Sequence, residues 1–257
     1  MAAVSTDGSG LGRVVVELCV GDLAGIDTAR SAGADRVEFC RDLSCGGLTP
    51  DPAEISEALS RCPSGGLQVL IRSRPGDFVY GDDEIEAMCA QIRAIRAEHD
   101  RWIAESSGED AAAAAAPRLG FVVGALTPDL RIDARATARF VAAAGPHRLT
   151  FHRAFDQVVD QAAGLEDLVR LGYERVLTTG GHAAVADLPG LSALVEQAVD
   201  RLVILASGGL RSGNVAAALS ATGAREVHMR APADDGERTD PEEARRVVDA
   251  VRHRFRV

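Results

Sequence analysis

Short runs rich in Val, Ile and Leu alternate along the chain with longer stretches in which apolar positions recur every three to four residues. The first pattern fits a strand buried on both faces, the second an amphipathic helix packed beside it. Strands are expected at 14–20, 36–40, 67–72, 119–124, 148–152, 175–179, 202–207 and 226–229. Helices are expected at 23–32, 82–98, 133–144, 165–171, 188–199, 214–222 and 241–255. Three junctions repeat one design, a glycine that stops a helix and a strand that opens: Ala-Gly-Ala-Asp-Arg-Val at 32–37, Leu-Gly-Tyr-Glu-Arg-Val at 171–176 and Thr-Gly-Ala-Arg-Glu-Val at 222–227. Eight β-then-α units in about 250 residues predict a single (β/α)8 TIM barrel. A doubly wound open sheet fits less well, because no Gly-x-Gly-x-x-Gly follows the first strand, and for the same reason no organic cofactor is expected.

The barrel is expected to span 13–257, after a disordered tail at 1–12, with an Ala-rich surface insertion at 105–117. The tail has neither a cationic start nor an apolar core of its own, and no stretch of about 18 apolar residues occurs, so a membrane is not an expected partner. The 257 residues carry 38 acidic and 28 basic side chains, a net charge of −10 that repels nucleic acid. Every basic residue is arginine, which excludes lysine Schiff-base chemistry. Five cysteines, an odd number, fit a reducing cytoplasmic setting with free thiols better than a disulfide framework.

Ligands of this architecture sit where the strands end, so those residues carry the candidate chemistry. The first strand ends in Val-Glu-Leu-Cys (Glu17, Cys19) and the second in Val-Glu-Phe-Cys (Glu38, Cys40). Residues two apart share a face, so both pairs either enter the barrel together or leave it together. Taken singly, the cysteines read equally as small core residues, but inward carboxylates need partners. Arg41, Arg72, Arg74, Arg153, Arg211 and Arg230 follow strand ends and are the expected partners, or else a pocket for a small anion. The fifth strand runs into His152, Arg153 and Asp156, and the eighth carries His228. Thr178 and Gly180 after the sixth strand, and Ser207, Gly208 and Gly209 after the seventh, are candidates to cradle phosphate. On this reading Arg72, Arg74 and Arg153 hold a small anionic metabolite, phosphorylated or not, while Glu17, Glu38, Asp77, His152 and His228 exchange protons with it.

Taken together, Gly-Ala-Asp-Arg-Val-Glu-Phe-Cys (33–40), Gly-Gly-Leu-Thr-Pro (46–50), Ile-Arg-Ser-Arg-Pro-Gly-Asp-Phe-Val-Tyr (71–80), Phe-His-Arg-Ala-Phe-Asp (151–156), Arg-Val-Leu-Thr-Thr-Gly (175–180) and Glu-Val-His (226–228) resemble the CutC family of cytoplasmic copper homeostasis proteins. The resemblance runs in order from about residue 14 to about residue 230 and implies a TIM barrel assembled as a homo-oligomer. It also implies Cu(I) as ligand, with Cys19 and Cys40 where copper-binding relatives place their thiols and Cys45 or Met229 nearby. The chain departs from the family pattern at Ser73, Pro75, Thr179 and the pair Met229-Arg230, and the last of these alters the rim beside the expected anion cradle.

Overall fold

In the computed structural model, which describes residues 13–106, 117–181 and 184–255, eight parallel strands close into a barrel in chain order. They are β1 (Val15–Val20), β2 (Arg36–Phe39), β3 (Leu67–Leu70), β4 (Leu119–Val122), β5 (Arg148–Phe151), β6 (Arg175–Thr178), β7 (Val203–Ala206) and β8 (Glu226–Met229). Around them run α1 (Leu23–Ala32), α2 (Ile55–Arg61), α3 (Asp82–Ser106), α4 (Ala134–Ala144), α5 (Gln161–Leu171), α6 (Leu188–Ala198), α7 (Val215–Thr222) and α8 (Pro241–Arg254). This is the (β/α)8 TIM barrel that the alternating pattern predicts. Residues 1–12 and most of the expected insertion at 105–117 lie outside the described residues. Among the described residues no helix is long and apolar enough to cross a membrane.

Most strands stop one or two residues before the apolar run does, because the next residues already bend away to build the mouth. Three helices differ more, and of these α5 opens at Gln161, four residues before its expected start. α2 was not expected; its seven residues place Ile55, Ala58 and Leu59 in the core, a stripe too short to stand out by periodicity alone. α3 runs on past the expected end at 98 to Ser106, through Trp102, whose indole N–H donates to Ser60 Oγ at 2.9 Å and ties it to α2.

The side chains of each strand divide by parity. Val16, Leu18 and Val20 of β1, with Val37 and Phe39 of β2, face the helices and join the main apolar core. Glu17 and Cys19, with Arg36, Glu38 and Cys40, face the barrel interior, where aliphatic residues usually pack in layers. Here much of that interior is ionic. Arg36 donates to Glu17 and, at 2.5 Å, to Glu226 Oε2. Arg175 donates to the same Glu226 oxygen and to Glu174 Oε1, both at 2.8 Å. Contacts between β2, β6 and β8, which are not neighbours in the sheet, are possible only across the barrel centre.

Replacing Arg36 by alanine removes the cation shared by two buried carboxylates. Chemical denaturation is expected to show a loss of about 3–5 kcal/mol, partly recovered in the Glu17→Gln, Arg36→Met double variant, whereas a loss under about 1 kcal/mol would mean that the chain of pairs is not holding the interior.

Candidate functional site

At the carboxyl ends of the strands the interior opens into a cavity of about 390 Å³ whose lining includes Cys19, Glu38, Arg72, His152, Ser207 and His228. Its two sides differ in chemistry. One is soft and acidic: Cys19 Sγ lies 3.6 Å from Cys40 Sγ and 3.7 Å from Glu38 Oε1. Both thiols are free, and their separation is well beyond the roughly 2.05 Å of a disulfide. Cys19 borders the cavity while Cys40 is fully buried behind it, under a loop that only glycine can form at Gly47. With φ at +90°, a Cβ on Gly47 would sit 3.3 Å from Cys40 Sγ and 2.8 Å from Leu70 Cδ2.

His228 Nδ1 lies 2.8 Å from Glu17 Oε1 and 4.0 Å from Glu38 Oε2. Burial opposes the ionisation of all three. For Glu17 the neighbouring Arg36 and His228 overcome it and hold the carboxyl down to about 2. For His228 the carboxylates of Glu38 and Glu17 and a hydrogen bond with Cys19 win, and the imidazole is raised well above its ordinary 6.5. For Glu38 burial prevails, reinforced by the charge on Glu17, and the carboxyl is pushed up to about 7. The hydrogen bond with Cys40, followed by burial, raises the Cys19 thiol well above 9. Two donor sets result, Cys19 with Glu38 and Cys40, and Glu17 with Glu38 and His228, each with its atoms within 4.8 Å of one another.

The opposite side is cationic. Arg72 is buried, and its guanidinium donates only to carbonyl oxygens: Cys45 and Gly47 at 3.1 Å and Gly76 at 3.0 Å. It also stands 5.1 Å over the Phe78 ring. Among the described residues neither Arg72, Arg211 nor Arg230, which all border the cavity, forms an ion pair. His152 is buried, and its Nδ1 accepts the Ala154 N–H at 3.2 Å, so the ring proton belongs on Nε2. That N–H has no partner among the described residues, and burial together with the Arg72 charge holds the imidazole neutral, at about 3. Among the described residues Glu38 Oε2 is also buried without a hydrogen bond. Gly208 and Gly209 line the rim with φ of +102° and +60°. A Cβ on Gly208 would lie 2.6 Å from Ala186 N, so this turn is closed to larger residues.

Several expected residues lie apart from the cavity. Glu17 sits a layer beneath it, and its partners are Arg36 and His228 rather than any of the arginines that follow strand ends. Arg74 and Asp77 pair with each other at 3.0 Å on the loop before α3, and Arg74 also binds Glu84 at 2.6 Å; neither lines the cavity. Asp156 is a brace: it accepts from Thr178 Oγ1 at 2.5 Å and the Thr179 N–H at 3.0 Å, and pairs with Arg153 at 3.0 Å. Thr178 accepts the Gly180 N–H, and Gly180 packs so tightly on α6 that a Cβ would lie 2.7 Å from Leu191 N. Cys45 lies on a separate turn and donates to the Asp42 carbonyl at 3.1 Å. Arg36, Arg175 and Glu226 open their strands rather than end them, so the strand-end pattern does not pick them out. Their signal was present in the repeated strand openings, each of which puts Arg or Glu immediately before a valine.

Residues 14–233 match the CutC family. Over 218 residues the chain is 39% identical to the human copper homeostasis protein cutC homolog, which spans 84% of this chain and 73% of that one. A CutC family protein of Mesorhizobium japonicum is 38% identical over 221 residues, 86% of this chain and 78% of its own. The crystal structure of the putative copper homeostasis protein CutC from Streptococcus agalactiae aligns with a TM-score of 0.70 at 30% identity, covering 84% of this chain and 97% of that one. Phosphoribosylanthranilate isomerase from Thermotoga maritima aligns with a TM-score of 0.57 at 13% identity over 93% of this chain and 99% of its own, a likeness of fold alone.

Because folding raises the Glu38 carboxyl from 4.5 to about 7, the folded chain keeps a proton that the unfolded chain releases. That contribution to stability is complete below pH 4.5 and fades as the pH rises toward 7. Below the ordinary histidine value of 6.5, His228 is charged in both states and does not mask the effect. Between these two values urea midpoints are expected to decline more steeply in the parent than in Glu38→Gln. Equal slopes would show that the carboxyl ionises as it does in water.

Proposed function

The chain belongs to the CutC family, and we propose that its barrel mouth binds Cu(I) as cargo through Cys19 and Cys40. The observation that carries this reading is the thiol pair, 3.6 Å apart at the inner end of an open cavity. Soft thiolates select Cu(I) over harder ions, and two of them can take it from opposite sides. Two thiolates and one Cu(I) together carry a single negative charge. The Arg72 guanidinium, which forms no ion pair among the described residues, provides compensating positive charge, which favours the complex over the neutral thiols. Binding displaces both thiol protons, and Cys19 holds its proton tightly, so affinity must rise with pH.

Competition with a Cu(I) chelator tests the reading. The parent is expected to bind one ion, more tightly as pH rises, and the Cys19→Ser, Cys40→Ser variant to bind more than about 100-fold less tightly. Equal affinities in the two proteins would end the proposal.

A second reading has its own observation: His152 Nε2 and Glu38 Oε2, on residues that line the cavity, are among the buried polar atoms that find no partner among the described residues. Such atoms are ordinarily satisfied, and a ligand is one way to satisfy them. A small organic anion, a carboxylate or phosphate ester, would accept from His152 Nε2–H and pair with Arg72, with the Gly208–Gly209 turn on its far side. Glu38 and His228 would then give or take protons, Glu38 being poised near neutral pH. A thermal-shift screen of such anions is expected to find one that stabilises the parent by about 2.7 kcal/mol at 100 times its Kd, an effect lost in Arg72→Met. A screen without hits, or hits indifferent to Arg72, would leave Cu(I) binding alone.

A further inference from the structure

We propose a second metal site, for a divalent transition ion of the zinc type, at the opposite end of the barrel from the mouth, built from His99, Asp100 and His147. His99 and Asp100 lie on α3, and His147 immediately precedes β5. One donor atom from each residue falls within 4.8 Å of the other two.

What distinguishes this cluster from a chance grouping is the state of the two imidazoles. His99 Nε2 lies 3.1 Å from the Pro117 carbonyl oxygen, and His147 Nδ1 lies 3.3 Å from the Leu119 carbonyl oxygen. A carbonyl only accepts, so each of these nitrogens carries the proton, and the other nitrogen of each ring keeps its lone pair. Metal-ligating histidines are typically oriented this way, with the far N–H held by a carbonyl or carboxylate. His99 is only 6% exposed, and its Nδ1 has no hydrogen-bond partner among the described residues. That lone pair lies 3.9 Å from Asp100 Oδ1, too far for a hydrogen bond and near enough to share an ion. The two rings meet edge to face, with centroids 5.3 Å apart.

Two imidazoles and one carboxylate suit zinc, copper(II) or nickel better than calcium or magnesium, which prefer oxygen alone. With metal–nitrogen bonds of about 2.0–2.1 Å the donors must draw slightly closer than they stand. Asp100, whose side chain is 69% exposed, is the one free to move. An ion here would clip α3 to the turn between α4 and β5, joining positions far apart in sequence. It would leave one coordination position open to solvent.

The test uses the untagged full chain carrying Cys19→Ser and Cys40→Ser, titrated with Zn(II) and separately with Co(II). One equivalent of Zn(II) is expected to bind and raise the melting temperature. His147→Gln and Asp100→Asn, added singly, should each weaken binding at least about tenfold and abolish the rise. Bound Co(II) should show ligand-field bands without the thiolate-to-metal charge-transfer band that cysteine ligation gives. Both variants are partly exposed changes, and their circular dichroism reports whether they fold. Affinity unchanged in the folded variants, no binding by the parent, or a thiolate band would each overturn the proposal.

Discussion

An arginine buried between two carboxylates organises this barrel. Arg36 leaves β2 for the interior, where it meets Glu17 of β1 and Glu226 of β8, and Arg175 of β6 reaches the same Glu226. In a medium that barely screens charge, each of these groups is tolerable only while its partners are present. The pairs to Glu226 therefore tie β2 and β6 to β8, strands that share no ladder with it. They also decide what the mouth looks like. Glu17 is already satisfied by Arg36 from below, so it receives His228 as a second partner and fixes that ring beneath the cavity. Glu38, next in line, is left with a histidine 4.0 Å away whose charge is largely answered by Glu17. The elevated carboxyl of Glu38 is thus a consequence of the ion pairs below it, with burial the larger cause.

How far the residues alone disclose this arrangement depends on what kind of signal each feature leaves. The eight units are written in periodicity, and strand parity correctly turned Glu17, Cys19, Glu38 and Cys40 to one side. The partners of those groups are a different matter. Arg36 stands two residues before Glu38 and Arg72 just past the end of another strand, yet only closure of the barrel shows that Arg36 points into the lower layer while the two terminal nitrogens of Arg72 are taken by loop carbonyls. Arg74 and Asp77 are a case of the opposite kind. They follow a strand end and carry suitable charges, but a pairing three residues apart is local chemistry that satisfies both before any ligand arrives. Short helices leave the weakest trace of all, as α2 shows, since a seven-residue segment has room for barely one repeat of its apolar stripe.

The two readings of the mouth draw on different sides of one cavity, and the electrostatics relates them. The side with Cys19 and Glu38 has protons to give up, and the side with Arg72 and His152 has donors that lack acceptors. Any occupant that is neutral overall would leave one of these unmet. A Cu(I) ion bound by two thiolates makes that side negative and so answers the guanidinium across the cavity, although it reaches neither His152 Nε2–H nor the glycine turn. An organic anion answers the guanidinium and the imidazole directly, and its charge raises the cost of ionising Glu38 and Cys19 further. The two occupants therefore oppose each other through their charges: a bound anion should weaken Cu(I), because it consumes the positive potential that the thiolates need. Where both proposed occupants bind, opposition of that kind would make the cavity a single coupled site, in which the soft and the cationic sides could not both be satisfied by independent ligands at full affinity.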